Sequence, residues 1–90
     1  MKIAIIGTGN LGKSIANGLI KNNAITTLYL TKRNLEDIVD FDGYKNVYIT
    51  SNNIKAVEKS DILIFAVQPA HFERILKEIK NKLTEKHRPN

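Results

Sequence analysis

Ninety residues, 42% hydrophobic and 26% charged, describe one globular domain and leave no room for a second. The formal charge of +5 is lopsided: residues 1–35 carry Lys2, Lys13, Lys21, Lys32 and Arg33 and no acid, whereas 36–90 carry nine cations and nine acids. Without cysteine there is no disulfide framework, thiolate metal site or Cys nucleophile, and no apolar run nears the roughly 18 residues of a membrane span. In chain order, Ile3 to Ile6 is an unbroken apolar run, the pattern of a strand buried on both faces. Gly7 to Gly12 form a turn, and Leu11, Ile15, Leu19 and Ile20 then recur at helical spacing to about Lys21, with Asn22 and Asn23 as terminators. Thr26 to Thr31, β-branched and aromatic, predicts a second strand, with Tyr29 packing within it as Tyr48 does in the third. Asn34 caps a short helix over Leu35 to Asp40, and Val47 to Ile49 is a brief third strand. Asn53 is expected to cap a short helix through Lys59. Ile62 to Val67 forms the fourth strand, and Pro69 opens a last helix whose face is Phe72, Ile75, Leu76, Ile79 and Leu83. The alternation predicts a single α/β domain, a doubly wound parallel sheet of about four strands with helices on both faces. That domain runs over residues 1–83, and 84–90 read as a polar tail or connector.

The turn Gly7-Thr8-Gly9-Asn10-Leu11-Gly12-Lys13-Ser14 satisfies two phosphate motifs at once. Residues 7–12 read G-x-G-x-x-G, the dinucleotide fingerprint, and residues 7–14 read G-x-x-x-x-G-K-S, the phosphate loop of NTPases. Both rely on unpaired N–H groups and the positive end of a helix dipole. An NTPase also needs a distant apolar strand ending in Asp to hold magnesium, and the one strong candidate ends in Gln68-Pro69. The dinucleotide motif needs a second strand closing about 20 positions beyond the glycines, facing the adenosine ribose. Thr31 closes that strand nineteen positions after Gly12. The dinucleotide reading is therefore preferred, with a Rossmann-like fold. An NAD site places a carboxylate at this point, but here stand Thr31, Lys32, Arg33 and Asn34. Hydroxyl, ammonium and guanidinium donors favour a 2′-phosphate that a carboxylate would repel, so the expected cofactor is NADP(H).

Three segments, IAIIGTGNLGKSIANGL, LTKRN and SDILIFAVQP, lie in order along the chain. Together they resemble the amino-terminal domain of pyrroline-5-carboxylate reductase, within a superfamily that includes deazaflavin-dependent NADP oxidoreductases. The resemblance implies that Gly7, Gly9 and Gly12 shape the turn, with main-chain groups of Thr8, Asn10 and Leu11 near the pyrophosphate. It implies that Thr31, Lys32, Arg33 and Asn34 hold the 2′-phosphate and that Asn53 reaches the adenosine ribose. Ala66, Val67, Gln68 and Pro69 match an Ala-Val-Lys-Pro segment lining the ribose and nicotinamide, with Gln68 in place of the family's Lys. Such enzymes pass a hydride from NADPH to a cyclic imine, giving proline, and carry a further helical domain that completes the substrate pocket and forms the dimer. On that comparison the chain stops before the fifth strand. It is expected to be the cofactor-binding part of a homo-oligomeric enzyme, without turnover by itself and with no catalytic residue of its own.

Two alternatives stay open: a stand-alone dinucleotide sensor and an NTPase fragment built on GTGNLGKS. His71 and His87 lack helix-spaced partners, so no metal site is expected. The carboxyl-terminal basic run lacks interleaved aromatics beyond Phe72, which argues against a nucleic-acid partner. Neither a membrane partner nor a signal peptide is expected, and the location expected is cytoplasmic.

Overall fold

The computed structural model describes residues 1–22 and 27–82. Four strands form one parallel sheet: β1 (Lys2–Ile6), β2 (Thr27–Thr31), β3 (Val47–Thr50) and β4 (Ile62–Phe65), in the order β3-β2-β1-β4. Between and after them come α1 (Asn10–Ile20), a 3₁₀ helix (Leu35–Phe41), α2 (Asn53–Lys59) and α3 (Pro69–Ile79), which runs into a short 3₁₀ turn, Lys80–Lys82.

The unbroken apolar run of β1 is explained by two cores, one on each face of the sheet. Ile3 and Ile5 point to one side, with Ala16 of α1, Leu28 and Leu30 of β2, and Ile38 and Phe41 of the 3₁₀ helix. Ala4 and Ile6 point to the other, with Ala56 and Val57 of α2 and Ile75 and Ile79 of α3. Ala4, Ile5 and Ile6 are fully buried. Burying an isoleucine side chain contributes about 1.5–3 kcal/mol, so β1 anchors both layers. The chain winds outward from β1 through β2 to β3 on one face, then returns to β1's other flank at β4 on the opposite face. The strand order thus reverses between β1 and β4, and ligands of doubly wound sheets bind beyond the carboxyl ends of the strands at such a reversal.

The predicted element order holds, with local differences. β4 stops at Phe65, not Val67, although Ala66 N–H still donates to the Ile6 carbonyl at 2.9 Å. Beyond that bond the chain leaves the sheet to cross the glycine turn. Asn34 caps the 3₁₀ helix as expected, its Oδ1 accepting the Glu36 N–H at 3.1 Å, and the helix extends one residue further, to the buried Phe41. The cap of α2 is Asn52, not Asn53: its Oδ1 accepts the Lys55 N–H at 3.1 Å, and Asn53 is the first helical residue. Tyr29 and Tyr48 are opposite each other in the β2–β3 register and stack with ring centroids 5.6 Å apart. Asn23, Thr26, Leu83, His87 and the expected 84–90 tail lie outside the described residues.

Candidate functional site

The turn after β1 is built on three glycines with three different duties. Gly7 has φ +75°, a conformation that side-chain-bearing residues rarely adopt, and a Cβ there would collide with Val67 Cγ1. Gly9 has extended backbone, and a Cβ on it would meet nothing within 4 Å. Gly12, in the first turn of α1, has no such space: its Cβ would lie 3.1 Å from Ala66 Cβ, 3.2 Å from Thr8 Cγ2 and 3.3 Å from Ile5 Cγ2. The first glycine turns the chain, the second leaves the main chain open on one side, and the third lets α1 press against the sheet.

That open side adjoins the start of α1. Gly9 is the helix N-cap and has no side chain to offer, so the first turn receives no side-chain cap hydrogen bond, and it contains no acidic residue. The first N–H groups of any helix lack intrahelical acceptors, which leaves those of Asn10, Leu11 and Gly12 directed at whatever approaches. Lys13 N–H already donates to the Gly9 carbonyl at 2.8 Å. The Gly9 N–H is turned back onto Gly7 O at 2.8 Å. Thr8 is fully buried, its N–H given to Thr31 O at 2.7 Å and its hydroxyl to Ile5 O at 3.2 Å. The main-chain donors left for a phosphate therefore belong to Asn10, Leu11 and Gly12.

The carboxyl ends of all four strands are tied into one rim. Ala66 and Val67 follow β4 and pack against Gly12 and Gly7. Thr31, last in β2 and fully buried, accepts the Gly7 N–H on its Oγ1 at 3.0 Å. Lys32 N–H donates to Thr50 O at 3.3 Å, and Thr50 Oγ1 accepts the Asn52 N–H at 3.1 Å at the entry to α2. Sequence reasoning missed Thr50 as a site residue. A signal was present, since β2 and β3 both end in threonine and Thr31 pairs with Thr50 in the register. Phe65 and Phe72, with ring centroids 5.0 Å apart, fix the start of α3 against the end of β4. Gln68 and Pro69 lie exposed at that start, and the Gln68 carbonyl accepts the His71 N–H at 2.9 Å.

The basic segment divides into distinct roles. Arg33 is exposed, whereas Lys32 is partly buried and pairs with Asp37, Nζ to Oδ2 3.8 Å. Asp37 was also missed, because it lies five positions on and meets Lys32 only once the 3₁₀ helix forms. Asn34 is engaged as the helix cap. Lys13, the residue an NTPase loop would send to phosphate, lines a surface cleft of about 260 Å³ with Asn17, Asp37, Asp40, Phe41 and Tyr44. His71 is exposed, its Nδ1 3.5 Å from Arg74 Nη2. Among the described residues no three His, Asp or Glu side chains are grouped to hold a metal ion, and no helix is long and apolar enough to cross a membrane.

The arrangement fits a dinucleotide. An approachable glycine, uncapped helix N–H groups and a basic turn beside them are what a pyrophosphate and its adenosine end require. Comparison with known proteins agrees. The chain is 42% identical over 90 residues to pyrroline-5-carboxylate reductase 2 of Dictyostelium discoideum, covering 94% of this chain and 29% of that protein. It is 33% identical over 89 residues to pyrroline-5-carboxylate reductase of Arabidopsis thaliana, covering 93% and 31%. The structure of a pyrroline-5-carboxylate reductase from Coxiella burnetii superposes with a TM-score of 0.82 at 30% identity, covering 92% of this chain and 31% of that one. The chain thus spans about a third of the length of the relatives it matches. Residues 2–87 match the family described as NADP oxidoreductase, coenzyme F420-dependent. On fold and sequence alike, the chain belongs to that family and is its nicotinamide-nucleotide-binding domain.

Proposed function

We propose that this domain binds NADP(H) in preference to NAD(H) and is the cofactor platform of a reductase acting on a C=N bond, with pyrroline-5-carboxylate the substrate suggested by its relatives' names. The observation that carries the reading is the open face of Gly9 against the uncapped start of α1, with Lys32 and Arg33 following β2. Asn10, Leu11 and Gly12 N–H groups would receive the pyrophosphate. Arg33, exposed and planar, would meet the 2′-phosphate through paired donors, with Lys32 adding charge and the Asn34 amide alongside. Asn53, relieved of capping by Asn52, has its amide available for the adenosine ribose. Ala66, Val67, Gln68 and Pro69 would line the nicotinamide end.

When bound, NADPH supplies the hydride, and the protein supplies binding and orientation. The chain spans about a third of its relatives' length, so turnover and homo-oligomerisation are assigned in this reading to the whole enzyme. Lys13, turned into a cleft with Asp37 and Asp40, gives the NTPase reading no support.

The test is a thermal-shift titration with NADPH, NADH and magnesium-ATP. At a hundred times its Kd a ligand adds about 2.7 kcal/mol, which for a domain of this size raises the Tm by about 10–20 °C. NADPH is expected to act at the lowest concentration and ATP not at all. Arg33→Ala should weaken NADPH far more than NADH, and equal weakening of the two would sink the 2′-phosphate assignment.

A further inference from the structure

Thr31 closes β2 with no solvent exposure, and both of its polar ends face the glycine turn. Its Oγ1 accepts the Gly7 N–H at 3.0 Å, and its carbonyl accepts the Thr8 N–H at 2.7 Å. One residue of the neighbouring strand thus holds the two residues that precede the open glycine. Gly7 is the left-handed pivot of the turn, and Thr8 is locked from its other end by its hydroxyl bond to Ile5 O at 3.2 Å. A hydroxyl closed off from solvent and committed to a main-chain donor is not placed to meet a ligand that arrives from solvent. Arg33, two residues on, is exposed.

The geometry points to Thr31 as a positioning residue for the pyrophosphate turn, not a contact to the 2′-phosphate. It presets the Gly7–Thr8–Gly9 path, so any dinucleotide that uses the turn depends on it, with or without a 2′-phosphate. This rests on the dinucleotide reading above. Valine at this position keeps the shape but leaves the Gly7 N–H without its acceptor, whereas serine keeps the oxygen.

Thr31→Val and Thr31→Ser are titrated with NADPH, NADH and adenosine 2′-monophosphate, the last lacking a pyrophosphate. Thr31→Val is expected to raise the Kd of NADPH and NADH by the same factor, about tenfold (about 1.4 kcal/mol), while binding of the 2′-monophosphate changes far less. Thr31→Ser is expected to restore both dinucleotides. A loss confined to NADPH and the 2′-monophosphate overturns the proposal in favour of direct phosphate contact, and unchanged binding of all three overturns it as well. Should Thr31→Val not fold, amide hydrogen exchange on the unaltered chain decides. Gly7 and Thr8 amides should be protected with and without NADPH, and deprotection of Gly7 by NADPH but not NADH overturns the proposal. An unaltered chain that binds NADPH and NADH alike refutes the 2′-phosphate preference, with Thr31 still judged by the common factor. One that binds neither refutes both.

Discussion

Gly9 and Gly12 are three residues apart and identical in composition, yet their substitution should separate binding from stability. Gly9→Ala places a methyl where nothing lies within 4 Å, on extended backbone that any residue adopts. The free chain should keep its stability to within about 0.5 kcal/mol. The methyl nevertheless occupies the face at which the proposed pyrophosphate would approach, so NADPH affinity should fall at least about tenfold. Gly12→Ala presses on Ala66, Thr8 and Ile5 at 3.1–3.3 Å. Overpacking costs about 1–3 kcal/mol and alanine's helix preference returns up to about 1, leaving a net loss measurable by urea denaturation. Stability lost at Gly9 and retained at Gly12 would refute this division of labour. The G-x-G-x-x-G spacing makes all three glycines visible in the sequence, but what each one faces depends on β4 arriving from fifty residues away. Thr31 carries the same lesson. Its distance from the glycines marks it as a site residue, but its burial and its bond to Gly7 exist only once β1 and β2 are paired.

Among the elements, α1 offers the plainest test of local propensity. Gly18 lies inside this helix, exposed, with nothing near where a Cβ would stand. Gly18→Ala should therefore stabilise the domain by about 0.5–1 kcal/mol, read as a rise of about 2–8 °C in Tm, with no change in NADPH affinity. The order and type of the elements were legible because apolar runs, helical spacing and turn residues agree with one another. The boundaries were not. Asn52 and Asn53 are equally good caps by residue type, and the choice between them follows from the Thr50 hydroxyl, which receives the Asn52 N–H and fixes where the chain turns into α2. β4 reads as apolar through Val67, yet its last two residues leave the sheet because Gly7 and Gly12 leave room for Val67 and Ala66 to pack against the turn. The apolar pattern records burial and does not distinguish burial in the sheet from burial under a loop.

At the scale of the whole molecule, the two cores lie on opposite faces of the sheet that divides them. Ile5 and Ile6 are adjacent in sequence but belong to opposite cores. Ile5→Val and Ile6→Val should each cost about 0.5–1.5 kcal/mol, and their double mutant should be additive to within about 0.5 kcal/mol. Ile5→Val with Leu30→Ala, both in one core, should depart from additivity in a double-mutant cycle by urea denaturation. Non-additivity across Ile5 and Ile6 would mean that the cores relax as one. The parallel α/β architecture was legible from the alternation of elements, whereas which face each helix covers depends on the strand order, which no local pattern states. The central place of β1 also bears on how the chain is made. It is synthesised before both of its neighbours, for Ile3 pairs with Leu28 on one flank and with Ile62 on the other. The most deeply buried strand must therefore wait, half-partnered, until β4 has been synthesised. The nascent chain is most exposed to chaperones and to aggregation in the interval before residue 65 emerges.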